Sequence, residues 1–221
     1  MTHIPNELGA LKNSLIEMGS LVINQLVKTR AAMENFDQEL VEEISRSERR
    51  VDAYELKINL DCENILALFC PVAHDLRFVL AALKINYNLE RIGDYAFNIS
   101  TVLRDLDKPI DPECLKEMHI TEMFKISLSM LQIMAKAFEN DDALAARQVF
   151  KKDNKLDEIK MKSNSIAADL IIRKPEETLT ILSLLSVIRK LERVGDQTKN
   201  MAEELIFHLE AKVLRHAKKK S

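Results

Sequence analysis

The sequence predicts an all-α protein of six long helices, arranged as two repeated antiparallel three-helix bundles. Apolar residues recur at helical spacing along nearly the whole chain. Only four glycines and five prolines occur in 221 residues, whereas Leu, Ile, Lys, Glu and Ala, which favour helices, are plentiful. The hexapeptide "LERIGD" at 89–94 returns as "LERVGD" at 191–196, and this spacing indicates an internal duplication.

Three helices are predicted in the first half of the chain. The second of them must end near Cys70, because Pro71 disfavours helical geometry in the residue before it. Pro71 can itself occupy the first turn of the next helix. From the apolar periodicity we expect these helices over about residues 6–34, 37–69 and 71–106.

The strongest break follows, in the segment "LDKPIDPE", where Pro109 and Pro112 lie three residues apart. After it the helical pattern restarts, and Pro175 precedes the last helix as Pro71 precedes the third. We expect helices over about residues 113–139, 142–173 and 175–216. Each group of three can form a bundle of antiparallel neighbours with short connections, which predicts domains over residues 1–108 and 109–221.

The composition excludes several classes of protein. The net charge of −3 and the absence of Trp provide neither the field nor the stacking surface of a nucleic-acid-binding protein. No basic region precedes an apolar run at the N-terminus, and no apolar stretch approaches the length of a membrane span. Cys62, Cys70 and Cys114 are odd in number and lack metal-ligand spacing, so we expect free thiols and a cytoplasmic protein. The basic cluster at 212–221 is interpreted as a solvated helix end, with contact to nucleic acid or to anionic lipid as the alternative.

Acidic and amide side chains follow a repeated four-residue spacing. Such residues form a line along one helix face. Glu48 and Asp94 each lie 23 residues from Pro71, so an antiparallel hairpin that turns at this proline brings their two lines together. The same argument applies around Pro175. The first acidic patch comprises Glu48, Asp52, Glu55, Glu90, Asp94 and Asn98, and the second comprises Asp153, Asp157, Glu192, Asp196 and Asn200.

Clustered carboxylates repel one another by a few tenths of a kcal/mol per pair, unless a cation joins them. Carboxylate and amide oxygens are the ligands that hard cations prefer, so the patches are interpreted as metal sites. Gly93 and Gly195, each about 1 kcal/mol less favourable than alanine within a helix, would admit a neighbouring helix or a ligand. The alternative for the patches is a solvated charged face, and for the glycines it is helix packing.

These residues resemble the PhoU family, the accessory proteins of phosphate-specific transport systems. The resemblance rests on "PVAHDLRFVLAALKINYNLERIGDYAFNI" at 71–99, on "LERVGD" at 191–196, and on the carboxylate pairs Glu48–Asp52 and Asp153–Asp157. It implies a cytoplasmic, commonly dimeric regulator of phosphate uptake. Such a regulator links the ATPase of the phosphate ABC transporter to a PhoR-type sensor histidine kinase, and it restrains the phosphate-starvation response. The protein would be peripheral to the membrane at most.

The resemblance also implies divalent or trivalent metal ions, bound as multinuclear clusters of iron, zinc, nickel or magnesium. The second half departs from the pattern, because Asp153 replaces a glutamate and nothing corresponds to "HDLR" at 74–77. His74 is therefore interpreted as a helix-start or packing residue. The implied metal ligands are Glu48, Asp52, Glu90, Asp94, Asn98, Asp153, Asp157, Glu192, Asp196 and Asn200.

A regulatory metal-binding adaptor has three alternatives. A ferritin-like di-iron enzyme needs Glu-x-x-His on two helices, and no histidine here follows a glutamate at that spacing. A metal-dependent phosphohydrolase would use clustered ions to activate water, but no phosphate-binding loop or nucleophile–base pair is visible. A metal-free helical scaffold that docks basic partners would also explain the patches. We therefore predict a protein that is not an enzyme.

Overall fold

The computed structural model describes residues 4–211, and within this range the chain is helical with no strand. The long helices are α1 (Ile4–Asn35), α2 (Gln38–Phe69), α3 (Ala73–Ser100), α5 (Ile120–Glu139), α7 (Gln148–Arg173) and α8 (Thr178–Glu210). Two short helices, α4 (Pro112–Glu117) and α6 (Ala143–Ala146), precede α5 and α7. The all-α prediction is confirmed.

Side-chain bonds show how the first three helices run. In α1 and α2, Lys28 pairs with Glu43 at 2.7 Å, while Lys57 donates to Ser14 at 2.6 Å. The two helices are therefore antiparallel. Helix α3 returns along α2 and also packs against α1. In the second half, α5, α7 and α8 pack against one another in the same way.

The ends of several predicted helices differ from the structure. Helix α3 stops at Ser100 and continues only as a 3-10 turn to Asp105. The predicted helix over 113–139 is divided at His119, whose φ of 57° lies in the left-handed region, where histidine is one of the better tolerated residues. This bend buries Met118 and Ile120 on either side of it. The part of the sixth predicted helix beyond residue 211 lies outside the described residues.

One continuous apolar core joins the two halves of the molecule. Helices α3 and α8 form the most extensive helix–helix contact, and they run antiparallel, because Arg77 of α3 donates to the carbonyl of His208, while Lys84 pairs with Glu204. Two separate domains divided at residue 108 remain a prediction. Cys62 and Cys114 are buried free thiols, and Cys70 is exposed.

Gly19 lies within α1, and apart from its chain neighbours and the adjacent helix backbone no heavy atom lies inside 4 Å of the position that a Cβ would take. We expect Gly19→Ala to raise the free energy of unfolding by about 1 kcal/mol, because alanine restricts the unfolded chain and suits a helix interior. Urea unfolding at neutral pH measures the change. Gly195→Ala is the contrasting variant, since its Cβ would lie 2.5 Å from Leu156 Cδ1, and it should destabilise. Equal effects of the two substitutions would contradict the prediction.

Candidate metal centre

The first acidic patch lies where α2 and α3 face each other. Glu48 of α2 is buried, with an exposed fraction of 8%, and both Asp52 and Asp94 contribute negative charge to its surroundings. Glu90 lies one turn before Asp94. Burial raises the pKa of Glu90, and the charges of Asp94, Glu55 and Asp52 add to this shift. The carboxylates of α2 and α3 therefore lie near one another.

Glu48 is the most perturbed carboxyl group of this patch. Burial, together with the neighbouring Asp94 and Asp52, raises the pKa of Glu48 to about 8, although a hydrogen bond from Gln25 opposes the shift. Gln25 Nε2 donates to Glu48 Oε2 at 2.5 Å. Two further acceptors, Glu48 Oε1 and Gln25 Oε1, are buried without a partner. Such unpaired buried acceptors are unfavourable, and a proton or a metal cation would satisfy them.

The glycines of the repeated hexapeptides allow adjacent helices to approach closely. A Cβ on Gly93 would lie 3.2 Å from Val51 and 3.3 Å from Glu48 Oε2. On Gly195 it would lie 2.5 Å from Leu156 and 3.3 Å from Asp153 Oδ1. Both glycines therefore serve helix packing, and the same close approach places the buried carboxylate of the preceding helix beside the backbone of the next.

The second acidic patch lies between α7 and α8 and is organised differently. Asp153 and Glu192 are both buried, with exposed fractions of 5% and 7%, while Asp157 and Asp196 are half-buried. Burial raises the pKa of Asp153, and the charges of Asp157 and Asp196 add to this, but Lys199 acts in the opposite direction. Asp157 and Asp196 thus both lie near Asp153.

Two lysines enter the second patch. Lys199 Nζ lies 2.5 Å from Asp153 Oδ2 and 3.0 Å from Asp196 Oδ1, and Lys160 Nζ lies 2.5 Å from Glu192 Oε1. Burial acts to lower the pKa of Lys199, yet its bonds to Asp153 and Asp196 outweigh burial and raise it. The ammonium group of Lys199 is therefore cationic at neutral pH.

The amide residues stand apart from the carboxylates. Asn98 is exposed and Asn200 half-buried, and within residues 4–211 neither side chain is bonded to a carboxylate of its patch. As the side chains are placed, no three His, Cys, Asp or Glu groups of the described chain converge tightly enough to hold one ion. The first patch nevertheless offers a suitable donor set, with two unpaired buried oxygens beside several half-exposed carboxylates. Chelation there requires rotation of exposed members such as Asp52.

Three residues that shape these patches are not among the residues predicted from the sequence motifs: Gln25, Lys160 and Lys199. Overlaying the two repeats on their acidic motifs aligns Lys160 with Glu55 and Lys199 with Phe97, so both lysines could have been identified from the duplication. Gln25, by contrast, interrupts an apolar stretch of α1 without any motif. Its role follows only from its distance to Glu48.

The expectation for His74 agrees with the structure. It lies in the first turn of α3, and its ring centroid is 4.4 Å from that of His208. His208 is buried, and burial together with the charge of His74 lowers its pKa to about 4. His74 therefore packs against a neutral histidine, at a distance from both acidic patches.

Comparisons of the sequence and of the structure with known proteins all indicate the same family. Residues 15–103 and 120–205 each match the sequence model of the PhoU domain family. The chain is 31% identical to Phosphate-specific transport system accessory protein PhoU homolog 1 of Thermotoga maritima, over 93% of this chain and 88% of that protein. It is 28% identical to Phosphate-specific transport system accessory protein PhoU of Escherichia coli, over 95% and 86% respectively. The structure superposes on the crystal structure of PhoU from Pseudomonas aeruginosa with a TM-score of 0.87 at 25% identity, covering 95% of this chain and all of that one.

Proposed function

The chain belongs to the PhoU family, and we propose that it is a regulatory, non-catalytic accessory protein of phosphate transport. In this proposal it acts at the cytoplasmic side of the membrane as a homodimer. It adjusts phosphate uptake and restrains phosphate-starvation signalling by contacting the ATPase of a phosphate ABC transporter and a sensor histidine kinase. Within residues 4–211, no helix is both long and apolar enough to cross a bilayer.

This proposal rests on how much of the chain is similar to known members of the family. Both halves of the chain match the family's domain separately, and the similarity to proteins named as accessory to phosphate-specific transport spans more than nine-tenths of the sequence. A fold alone does not define a function. Here, however, sequence and structure agree over the same length, and the acidic motifs lie at equivalent places in both halves.

We propose further that the first acidic patch binds a divalent or trivalent cation. Glu48, Asp52, Glu90 and Asp94 would hold it, and the buried carbonyl oxygen of Gln25 lies beside them. A bound cation would neutralise the carboxylates and link α2 to α3. Among the described residues, no Lys or Arg nitrogen lies within 4.0 Å of a carboxylate oxygen of Glu48, Asp52 or Asp94, so this patch lacks an internal counter-ion for them.

Deletion of the gene tests the regulatory role. In high phosphate we expect the deletion to derepress phosphate-starvation genes, and the intact gene on a plasmid to restore repression. Asp94→Asn should fail to restore it, because that substitution removes a carboxylate from the centre of the first patch. Glu63→Gln, an exposed carboxylate of the same hairpin, is the control and should restore it. Unchanged reporter expression in the deletion strain would refute the regulatory role.

A second candidate, docking of a basic partner without metal, is favoured by one observation. Leu56 and Leu60 are 68% and 57% exposed, and they follow Asp52 at four-residue spacing, on the same face of α2. An acidic and apolar face suits a basic amphipathic helix. Chelator-treated protein separates the two candidates: partner binding that persists without metal and weakens in Leu56→Ser would favour docking.

A further inference from the structure

We propose that the two acidic patches have different counter-ions: the first takes a metal cation, whereas the second is closed by Lys160 and Lys199 and takes none. This inference rests on the proposed cation site of the first patch. It assigns the two lysines as the residues that decide which half of the duplicated chain binds metal.

Lys199 occupies the position that a cation would need in the second patch. Its ammonium group bridges the two helices, at 2.5 Å from Asp153 Oδ2 on α7 and at 3.0 Å from Asp196 Oδ1 on α8. The Asp153 side chain is only 7% exposed, while that of Lys199 is 29% exposed. The lysine thus reaches inward from the surface and supplies the positive charge between the two carboxylates.

Lys160 neutralises the other buried acid of this patch. Its ammonium group lies 2.5 Å from Glu192 Oε1, and the Glu192 side chain is 10% exposed. Of the four carboxylates in the second patch, three are therefore bonded to an ammonium group. Asp157 is half-buried at the edge, and Asp153 Oδ1 is buried without a partner. One carboxylate and one further oxygen would leave a hard cation, which takes six or more oxygens, coordinated mainly by water.

The first half has the opposite chemistry at the equivalent positions. Lys160 corresponds to Glu55, which adds a carboxylate, and Lys199 corresponds to Phe97, which has no charge. The duplicated chain has thus kept the acidic motifs in both halves, while the second half carries two positive charges that the first half lacks. A metal ion entering the second patch would have to displace both ammonium groups, because like charges at such short distances repel strongly.

Metal counting on single variants tests the assignment without rebuilding either patch. Purified chain is stripped with chelator, dialysed against Mn²⁺ or Zn²⁺, and measured by elemental analysis. We expect Asp94→Asn to lower bound metal at least tenfold at sub-saturating concentration. We expect Asp196→Asn to leave it unchanged, because Asp196 is paired with a lysine and not with a metal. Loss of metal in Asp196→Asn equal to that in Asp94→Asn would overturn the inference while leaving the proposed cation site intact.

A gain of binding tests the role of the lysines directly. Lys160→Glu with Lys199→Phe places the first-half residues in the second patch, and we expect this variant to bind at least one additional metal ion per chain. Lys162→Glu with Lys155→Gln changes two exposed lysines of α7, alters the net charge equally, and should gain none. Additional metal in the control variant, or none in the folded test variant, would overturn the assignment.

Circular dichroism shows whether each variant is still folded. The variant with Lys160→Glu and Lys199→Phe is expected to melt at a lower temperature than the wild type without metal. Its melting temperature should rise again when Mn²⁺ is added. If it does not fold at all, the milder Lys160→Gln with Lys199→Gln variant in the Asp94→Asn background still decides, because both ammonium groups are removed from the second patch and the first patch has lost a ligand. Absence of metal from that folded variant would contradict the inference. Absence of metal from the wild-type chain would instead refute the proposed cation site itself.

Discussion

Glu48→Gln is expected to stabilise the metal-free protein at pH 8, by on the order of 2 kcal/mol, and to abolish cation binding at the first patch. The two effects have one cause. Glu48 is buried beside Asp94 and Asp52, and these surroundings raise its pKa to about 8. Ionisation of Glu48 is therefore unfavourable in the folded chain unless a cation accompanies it. A glutamine has the same shape and no charge.

The sign of the pH dependence follows from this shift. Between the ordinary glutamate pKa of 4.5 and the folded value of about 8, the folded chain holds a proton at Glu48 that the unfolded chain has released. The stability that Glu48 contributes is therefore complete below pH 4.5 and is lost as the pH rises through 8. In the metal-free wild type, stability should decline over this window more steeply than in Glu48→Gln.

The amide of the variant can be accommodated locally. Gln25 Nε2 can still donate to the side-chain oxygen at position 48, and the new NH₂ group can donate toward Asp94. Urea unfolding in the presence of chelator, at pH 5 and at pH 8, measures the effect. Glu63→Gln on the exposed face of α2 is the control and should follow the wild type. A variant less stable than the wild type at both pH values would contradict the prediction.

Lys199→Met should destabilise the protein by about 3 kcal/mol, because it leaves the buried carboxylate of Asp153 without its counter-charge. Methionine retains most of the apolar length of the lysine side chain, so the loss reports mainly the charge. Burial raises the pKa of Asp153 and Lys199 acts against this. Removal of the lysine should therefore raise the pKa of Asp153 further, and part of the cost should be regained at acidic pH.

A double-mutant cycle isolates the interaction between these two groups. Asp153→Asn removes the buried charge, so adding it to Lys199→Met should restore a large part of the lost stability. Lys162→Met, at an exposed position of α7, is the matched control and should change the free energy of unfolding by less than about 0.5 kcal/mol. Additive effects of Asp153→Asn and Lys199→Met would show that the ion pair contributes no coupling.

The two halves of the chain share one buried arrangement but differ in the groups that surround its carboxylate. In each half a buried carboxylate lies against a glycine of the next helix. In the first half its partners are the amide of Gln25 and further carboxylates, whereas in the second half its partner is Lys199. The first patch is thus unfavourable without an external cation, while the second contains its own counter-charges.

The helices, the duplication and the facing of the acidic lines could be predicted from the order of the amino acids. Apolar periodicity depends on local geometry, and Pro71 and Pro175 define where each hairpin turns, so the pairing of Glu48 with Asp94 could be counted along the chain. Local spacing also placed Asp153 beside Asp196 in the same way.

The surroundings of those carboxylates, by contrast, depend on how the helices pack in three dimensions. Gln25 reaches Glu48 from α1, which is neither helix of the hairpin, and the left-handed residue His119 divides a helix that looks continuous in sequence. Burial of Glu48, and the bridging of Asp153 and Asp196 by Lys199, depend on which third helix covers the hairpin and how deeply each side chain is desolvated. Desolvation and pairing between distant residues arise from packing, and periodicity along the chain does not encode them.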